Sequence, residues 1–450
     1  MFLRGRVFLF AFVLCFGCCR EARAQAPPAT SPPGQPQTTF LRCGRLLDVR
    51  TGELKPAQLI GITGNRIASV ASAATVRLAA DARVIDLSKS TCLPGLMDAH
   101  THLVGRAGDE YSGGPLRRST AEMAFDSIPN ARATLEAGFT TVRDLGTYRA
   151  FVDVALRDAI NSGAVPGPRM LVAGAYVTIS GGAGALTNLA PDIQLPLELR
   201  YGIADGPAQV RQRVRAIVRQ GVDVIKVLAT GAILTPGTKP SQQEFTEEEL
   251  RAAVEEAAKA GLKVAAHAHS SAGAQAAVRA GVASIEHGSL LDEGTLRLMK
   301  DRGVFLALDV IASWDFWPGG KPENKPAGYP QESVDKEVVS YESQQRVARR
   351  AYALGVKIAF ATDAGVIPHG RNAILFTNYV RLGFTPLAAI QAATVNAAEL
   401  LGVADRLGAI EPGMLADVIA VHGNPLEEIA LMHRVAFVMK DGQVYKSPAR

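Results

Sequence analysis

Residues 93–102 read LPGLMDAHTH, an apolar run that ends in two histidines separated by one residue. A short apolar run of this kind indicates a buried β-strand. Because side chains two positions apart in a strand point to the same side, His100 and His102 can enter one cavity together. The stretch therefore predicts a strand that carries a polar site at its carboxyl end.

Seven more apolar runs follow, and helical segments rich in Ala, Glu, Arg and Leu separate most of them. In one such segment, 246–260, Thr246 is the expected N-cap and Glu249 follows three positions later. Eight strand–helix units predict an α/β fold, a (β/α)8 TIM-type barrel. No glycine-rich phosphate loop follows the first strand, which counts against a dinucleotide-binding fold. The predicted strands are 95–101, 140–146, 170–178, 223–230, 263–269, 284–288, 304–310 and 357–363.

The two ends of the chain have a different pattern, in which short alternating runs are broken by turn residues. A turn is predicted at residues 64–65 (GN), and a hairpin at residues 441–442 (DG). We expect residues 39–94 and 404–450 to pair into one small β-sandwich domain, beside a barrel of residues 95–403.

The first 24 residues have the features of a secretory signal peptide. Two arginines precede an apolar run over 7–17, and residues 22–24 (ARA) form a small-x-small cleavage site. The run is shorter than the ~20 apolar residues that a membrane-spanning helix needs, and lipoprotein processing at Cys18 or Cys19 is the alternative. Residues 25–38, rich in Pro and Gln, are expected to form a disordered leader. We expect an exported protein, periplasmic or extracellular, without stable membrane insertion after cleavage.

The composition limits the classes of partner. Hydrophobic residues make up 48% of the 450 residues, which is enough for a large core. The formal net charge of +5 falls to +2 when the first 24 residues, with four Arg and one Glu, are removed. So small a charge gives no reason to expect nucleic acid or an anionic membrane as a partner. A homo-oligomer stays open.

Two cysteines remain after that removal, Cys43 and Cys92, too few for a zinc site built of cysteines. They can pair in an oxidising compartment, but two isolated buried thiols are the simpler expectation.

Histidines and a carboxylate also end other predicted strands: His267, His269, His287 and Asp363. Barrel enzymes place their catalytic groups at these carboxyl ends. Imidazoles and a carboxylate that converge in one cavity suit divalent metals, zinc first. Any one of these histidines alone is more simply a hydrogen-bonded core residue, but the shared strand-end position of the whole set favours a metal site.

Lys226 lies inside the apolar stretch DVIKVLAT (223–230), where a free ammonium group is costly to bury. A salt bridge or a Schiff-base lysine would explain it. A third explanation is N-carboxylation by carbon dioxide, which turns the side chain into a long carboxylate able to bridge two cations. The residues alone leave the three open.

Together these residues resemble those of the amidohydrolase superfamily of metal-dependent hydrolases. The likeness covers nearly the whole mature chain, from the first-strand HxH to the late segment EPGMLADVIAV. Within the superfamily the chain resembles the imidazolonepropionase-like branch, which includes exported Xaa-Pro and Xaa-Arg/Lys dipeptidases or carboxypeptidases and ochratoxin amidohydrolases. The segments VIKVLATG, AAHAHS, SIEHGS and ATDAGVIPHG carry this closer likeness. One departure is residues 181–184, GGAG, where many relatives have Gly-Gly-His-Gly.

The resemblance implies a site for two divalent metal ions, with zinc the first choice. A hydroxide that bridges the ions would attack an amide carbonyl, and Asp363 would pass its proton to the leaving amine. The implied ligands are His100, His102 and Asp363 for one ion and His267 and His287 for the other, with carboxylated Lys226 bridging the two.

We therefore expect hydrolysis of an amide bond to a C-terminal amino acid in a small-molecule or dipeptide-like substrate. The enzyme would be a dipeptidase, a carboxypeptidase or an N-acyl amino acid (ochratoxin-type) amidohydrolase. The resemblance also implies that His269 and His369 contact the substrate; the alternatives are a supporting hydrogen bond for His269 and an exposed loop position for His369. A cyclic amide, a lactone or a phosphotriester is the alternative substrate. A non-catalytic exported binding protein is the alternative of another class, and the retained Asp363 argues against it because a binder needs no proton-transfer group.

Overall fold

The first strands of the chain build half of a small sheet. The computed structural model describes residues 38–106, 114–190 and 192–447. Its first four strands are β1 (Thr39–Leu47), β2 (Leu54–Thr63), β3 (Arg66–Ser72) and β4 (Arg83–Pro94). β2 pairs antiparallel with β1 and β3, whereas β1 pairs parallel with β4. The predicted turn at residues 64–65 joins β2 to β3, and Gly64 there has a φ of 61°.

Nine parallel strands follow in the described chain, with helices between most of them. β5, β6 and β7 form a three-stranded sheet in that order, and the other six form a sheet in the order β13-β12-β11-β10-β9-β8. All neighbours in these two sheets are parallel. The strands are β5 (Leu96–Thr101), β6 (Phe139–Asp144), β7 (Arg169–Val172), β8 (Tyr176–Val177), β9 (Val224–Leu228), β10 (Lys263–Ser270), β11 (Ser284–Leu290), β12 (Phe305–Leu308) and β13 (Ile358–Phe360).

The helices alternate with these strands, as the sequence predicts for an α/β fold. They are α1 (Gly114–Arg117), α2 (Thr120–Glu136), α3 (Val152–Asn161), α4 (Gly206–Val218), α5 (Glu247–Lys259), α6 (Ser271–Ala280), α7 (Glu293–Arg302), α8 (Gln331–Leu354), α9 (Ile374–Arg381), α10 (Pro386–Ala392) and α11 (Val395–Leu401). The predicted capping box at the start of α5 is present: Thr246 accepts from the Glu249 N–H, and the Glu249 side chain accepts from the Thr246 N–H. The main apolar core lies between strands and helices, and includes Ile225 of β9 and Ala257 of α5.

The third predicted strand, 170–178, is broken in two. Gly174 has a φ of 74°, a left-handed conformation that glycine adopts without a side-chain clash. The residues before the break, β7, pair with β6, and those after it, β8, pair with β9. A hydrogen bond of 2.8 Å from the Asp223 N–H to the Val172 oxygen also joins β7 to the start of β9.

At the other edge, backbone hydrogen bonds join the segment after β13 to the end of β5. The Asp363 N–H donates to the His100 oxygen at 2.9 Å, and the His102 N–H donates to the Ala364 oxygen at 2.6 Å. The carboxyl ends of the first and last parallel strands are therefore neighbours.

The chain end completes the small sheet with β14 (Val418–His422), β15 (Phe437–Lys440) and β16 (Gln443–Lys446). β14 pairs antiparallel with β4, so both ends of the chain contribute to it. The predicted hairpin is present. Asp441 and Gly442 connect β15 to β16, and their φ values are 49° and 75°. All seven strands belong to one continuous sheet, in the order β16-β15-β14-β4-β1-β2-β3. The two segments predicted to pair into one small domain, residues 39–94 and 404–450, therefore do pair, and buried residues of both belong to one apolar cluster.

Cys43 and Cys92 form a disulfide, so the expectation of isolated thiols was wrong. The two residues lie on β1 and β4, which are neighbouring strands, and their Cα atoms are 6.0 Å apart. The sequence does not reveal that these strands are adjacent, so the distance could not be foreseen.

The described residues form one compact unit. The predicted signal peptide, residues 1–24, and residues 25–37 of the predicted leader lie outside the described residues. Within the described ranges, no helix combines the length and the apolar character that crossing a membrane requires.

Candidate active site

A cavity opens where the parallel strands end. It encloses about 960 Å³, including its open mouth. Its lining includes seven of the eight residues that the sequence singles out: His100, His102, Lys226, His267, His269, His287 and Asp363.

His100, His102 and Asp363 converge on one point of this cavity. The Nε2 atoms of the two histidines are 3.3 Å apart. Asp363 Oδ1 lies 3.4 Å from Nε2 of His100 and 3.2 Å from Nε2 of His102. On the far side of each ring, Nδ1 meets an acceptor: Glu286 Oε2 at 2.9 Å for His100 and the Gly146 oxygen at 2.8 Å for His102. The protons therefore belong on the Nδ1 atoms, and both Nε2 atoms face Asp363 as acceptors.

This arrangement fits a metal ion. Asp363 Oδ1 is buried and accepts no hydrogen bond from the described residues, an arrangement that is costly without a cation. Burial, followed by the Lys226 charge, lowers the pKa of His100 well below its usual value, so the ring is neutral. Zinc binds such atoms at about 2.0–2.2 Å, which places neighbouring ligand atoms at separations near those observed.

A second group, His267, His269 and His287, lies on β10 and β11. The ring centroids of His267 and His287 are 4.6 Å apart, and His269 stacks on His287 at 5.1 Å. His287 Nδ1 lies 2.6 Å from Asp309 Oδ2. Burial opposes the charged form of His287, but Asp309 outweighs it and raises the pKa of His287. His267 Nε2 faces the Gly231 oxygen at 3.3 Å, so Nδ1 is the ring nitrogen that could bind a metal.

Lys226 lies between the two groups. Its side chain is 2% exposed, and its Nζ is 3.4 Å from His100 Nε2. Burial lowers the pKa of Lys226 to about 8. About a tenth of the amine is therefore neutral at pH 7, and the neutral amine is the form that reacts with carbon dioxide.

With this geometry in hand, comparison with known proteins identifies the family. A model of the amidohydrolase family matches residues 91–445. The chain belongs to the amidohydrolase family. The Aspergillus niger ochratoxinase is 34% identical over 377 residues, which cover 79% of this chain and 76% of that protein.

Two further relatives support the branch of the family. An imidazolonepropionase of Symbiobacterium thermophilum is 27% identical over 365 residues, covering 77% of this chain and 78% of that protein. A solved structure of a Xaa-Pro dipeptidase with bound methionine in the active site has a TM-score of 0.84 and 36% identity, and the match covers 91% of this chain and 100% of that one. This amidohydrolase is thus a member of the imidazolonepropionase-like branch and a hydrolase that acts on amide bonds.

Two site residues of the amidohydrolase have a left-handed backbone. The φ of His287 is 70° and that of Asp363 is 57°. Such a conformation costs a non-glycine residue about 1–3 kcal/mol. Both side chains line the shared cavity, so the strain coincides with the site.

The two predicted substrate residues occupy different places. His269 lines the cavity, and its Nδ1 lies 2.9 Å from Ser289 Oγ. His369 is absent from the described cavity lining, and its Nε2 donates to the Gly105 oxygen at 3.0 Å. Burial lowers the pKa of His369 to about 4, so this histidine is neutral.

Three charged residues around the amidohydrolase site were missed by the sequence analysis. Asp309 follows β12 and contacts His287, while Glu286 and Arg143 form a buried ion pair behind His100. Each lies in or directly after an apolar stretch, as Lys226 does: VFLALD, SIEHGS and TTVRDLG. That signal was available, but only the folded chain shows which histidine each charge supports.

Proposed function

We propose that this amidohydrolase uses two divalent metal ions, zinc the first choice, to cleave the amide bond to a C-terminal amino acid. The proposal rests on the convergence of His100 Nε2, His102 Nε2 and Asp363 Oδ1, three acceptor atoms within 3.4 Å of one another. Two acceptor nitrogens that face a buried carboxylate oxygen need a cation to stabilise them. The second group and Lys226 offer ligands for a neighbouring cation.

The proposed ligands divide between the two ions. His100, His102 and Asp363 would hold one ion. His267 through Nδ1 and His287 through Nε2 would hold the other, because their remaining ring nitrogens face Gly231 and Asp309. Carboxylated Lys226 would bridge them, since burial favours its neutral amine. Two such ions would lower the pKa of a water molecule so that hydroxide is available for attack at neutral pH, and they would polarise the amide carbonyl.

Asp363 is the proposed proton carrier. Its carboxylate accepts the proton of the attacking water and donates it to the leaving nitrogen, which departs as an amine. His269, on the cavity wall, is the proposed substrate contact.

The lining of the rest of the cavity favours a substrate that has an apolar group beside the amide bond. One wall follows β9, and aromatic rings line another part of the cavity. The apolar and aromatic lining includes Leu228, Ile233, Leu234, Ile311, Ile367, Tyr148, Tyr176 and Tyr341. The ochratoxinase and the Xaa-Pro dipeptidase with bound methionine are the relatives that favour a substrate ending in an amino acid.

A substrate panel tests the proposal. Zinc-loaded protein is given dipeptides and N-acyl amino acids, with lactones and phosphotriesters in parallel. We expect release of the C-terminal amino acid from amides with apolar groups, and loss of this activity when a chelator removes the metal. Turnover of lactones or phosphotriesters alone would replace the proposed substrate class, and metal binding without any turnover would favour a binding protein.

We further propose export and a closed (β/α)8 barrel. The disulfide between Cys43 and Cys92 supports export, because such bonds persist in oxidising compartments. The hydrogen bonds from Asp363 to His100 and from Asp223 to Val172 support closure at both seams. Cell fractionation, with N-terminal sequencing of the mature protein, tests export.

A further inference from the structure

A buried ion pair lies directly behind the first histidine of the site. Arg143 on β6 and Glu286 on β11 are joined at 2.8 Å, and their side chains are 3% and 0% exposed. Neither belongs to the described cavity lining, so substrate does not reach them. Because burying two charges carries a large desolvation penalty, a pair in this position calls for an explanation beyond stability.

The hydrogen bonds of the pair orient the Glu286 carboxylate towards His100. Arg143 donates through Nε to the Ala99 oxygen at 2.6 Å and through Nη1 to Ser284 Oγ at 3.1 Å. Glu286 Oε1 accepts from Arg143 and from the Ser284 hydroxyl. The other oxygen of Glu286, Oε2, is thereby aimed at His100 Nδ1 at 2.9 Å.

We propose that Glu286 is a positioning residue for the metal-binding nitrogen of His100, and that Arg143 fixes the direction of the Glu286 carboxylate. The carboxylate oxygen Oε2 accepts a hydrogen bond from His100, so it places the His100 proton on Nδ1 and leaves the Nε2 lone pair towards Asp363. The inference rests on the proposed function, in which Nε2 binds a cation. Carboxylates behind metal-binding histidines act in this way, and their loss lowers metal affinity by about 10–100-fold.

The second group has its own carboxylate, with a different partner. Asp309 Oδ2 meets His287 Nδ1, and Asp309 Oδ1 accepts from the Gln344 amide at 2.6 Å. Glu286, held by Arg143, thus orients His100. Asp309, held by Gln344, orients His287. Each carboxylate should control one of the two metal positions and leave the other unchanged.

Zinc titration against a competing chelator separates the two positions. For Glu286→Gln we expect one of two zinc equivalents to bind about 10–100-fold more weakly, while the second equivalent keeps its affinity. Asp309→Asn should weaken the other equivalent. Ser284→Ala is the milder comparison, because it removes one of the two hydrogen bonds to Glu286 Oε1 while Arg143 keeps the other, and the affected equivalent should weaken by less than in Glu286→Gln.

A second readout needs no metal. In metal-free protein with 15N-labelled histidine, NMR should show His100 protonated on Nδ1 in wild type and in Ser284→Ala, and the proton shared with Nε2 in Glu286→Gln. If Glu286→Gln does not fold, Arg143→Met/Glu286→Gln removes both charges and should lose the same zinc equivalent.

Two results would overturn the inference: unchanged zinc affinity and tautomer in the folded Glu286→Gln or double variant, or equal weakening of both equivalents. Wild-type protein that binds no zinc would instead contradict the proposed function, and the tautomer measurement would still test Glu286.

Discussion

The backbone N–H of Asp363 donates a hydrogen bond of 2.9 Å to the backbone oxygen of His100. The side chains of the same two residues meet again in the cavity, where Asp363 Oδ1 lies 3.4 Å from His100 Nε2. The bond between the strands therefore also sets the distance between the proposed ligands. Chemistry at this site depends on how the last parallel strand docks on the first.

Asp363→Asn tests the proton-transfer role. Asparagine tolerates a positive φ and keeps one ligating oxygen, so we expect the variant to fold and to retain most of its zinc. Loss of the basic oxygen should lower kcat by ~10²–10⁴ with a smaller change in KM. Steady-state kinetics and metal analysis on one preparation measure both effects. Near-normal turnover with metal bound would assign the proton transfer to another residue.

Carboxylation of Lys226 should depend on pH. The pKa of Lys226 is lowered to about 8 in the metal-free protein, so the neutral amine increases as pH rises through that value and decreases below it. At a fixed concentration of dissolved carbon dioxide, reactivation of metal-free protein by zinc should therefore become faster from about pH 7 to about pH 9. A 13C carbamate signal from labelled carbon dioxide provides a direct measurement.

Lys226→Ala is the control for that experiment. It should bind zinc weakly at every pH, and a short carboxylic acid should restore part of the binding and the activity by occupying the bridging position. Full activity of Lys226→Ala without any added acid would contradict the bridging role.

Replacement of His269 and of His369 should affect KM differently. His269 lines the cavity, so His269→Ala should raise KM more than it lowers kcat, by about 10–100-fold if a hydrogen bond to a charged group is lost. His369 is bonded to Gly105 outside the described lining, so His369→Ala should change KM by less than about threefold. Steady-state kinetics of both variants with one amide substrate measure these changes. A larger rise in KM for His369→Ala than for His269→Ala would show that His369 is the substrate contact.

The disulfide should matter for stability and not for turnover. Cys43 and Cys92 are 49 positions apart, and they lie in the small sheet away from the described cavity lining. Replacing both by alanine should lower the free energy of unfolding by about 2–4 kcal/mol, with kcat unchanged. Denaturant unfolding of the double variant and of reduced wild type should agree. A kcat that falls in the folded double variant would link the small sheet to the site.

Much of the fold could be predicted because its signals are local. The apolar run before His100, the capping box at Thr246 and the Asp441–Gly442 hairpin each depend on a few neighbouring residues. The pairing of strands is not local. The break at Gly174 and the single continuous small sheet depend on contacts between distant segments, which the alternation of side chains does not specify.

The residues of the candidate site also differ in whether their roles can be read from their own segment of sequence. His100 and Asp363 stand out because a polar residue at the end of an apolar strand is unusual within its own segment. Glu286 and Asp309 stand in similar segments, but their roles come from partners on other strands: Arg143 for one and Gln344 for the other. His369 lies in a loop, and its separation from Asp363 along the chain does not specify which way its side chain points.

The small sheet also affects the order in which the chain can fold during synthesis. β14 pairs with β4, so one edge of β4 stays unpaired until β14 is synthesised, more than 300 residues later. β1 and β4, which carry Cys43 and Cys92, are complete long before then. Both cysteines therefore come before the parallel strands in the chain, and the strands that carry them pair with each other without β14. The last 30 or so residues then close the sheet, and a chain truncated before β14 would leave an exposed β4 edge as a point for aggregation.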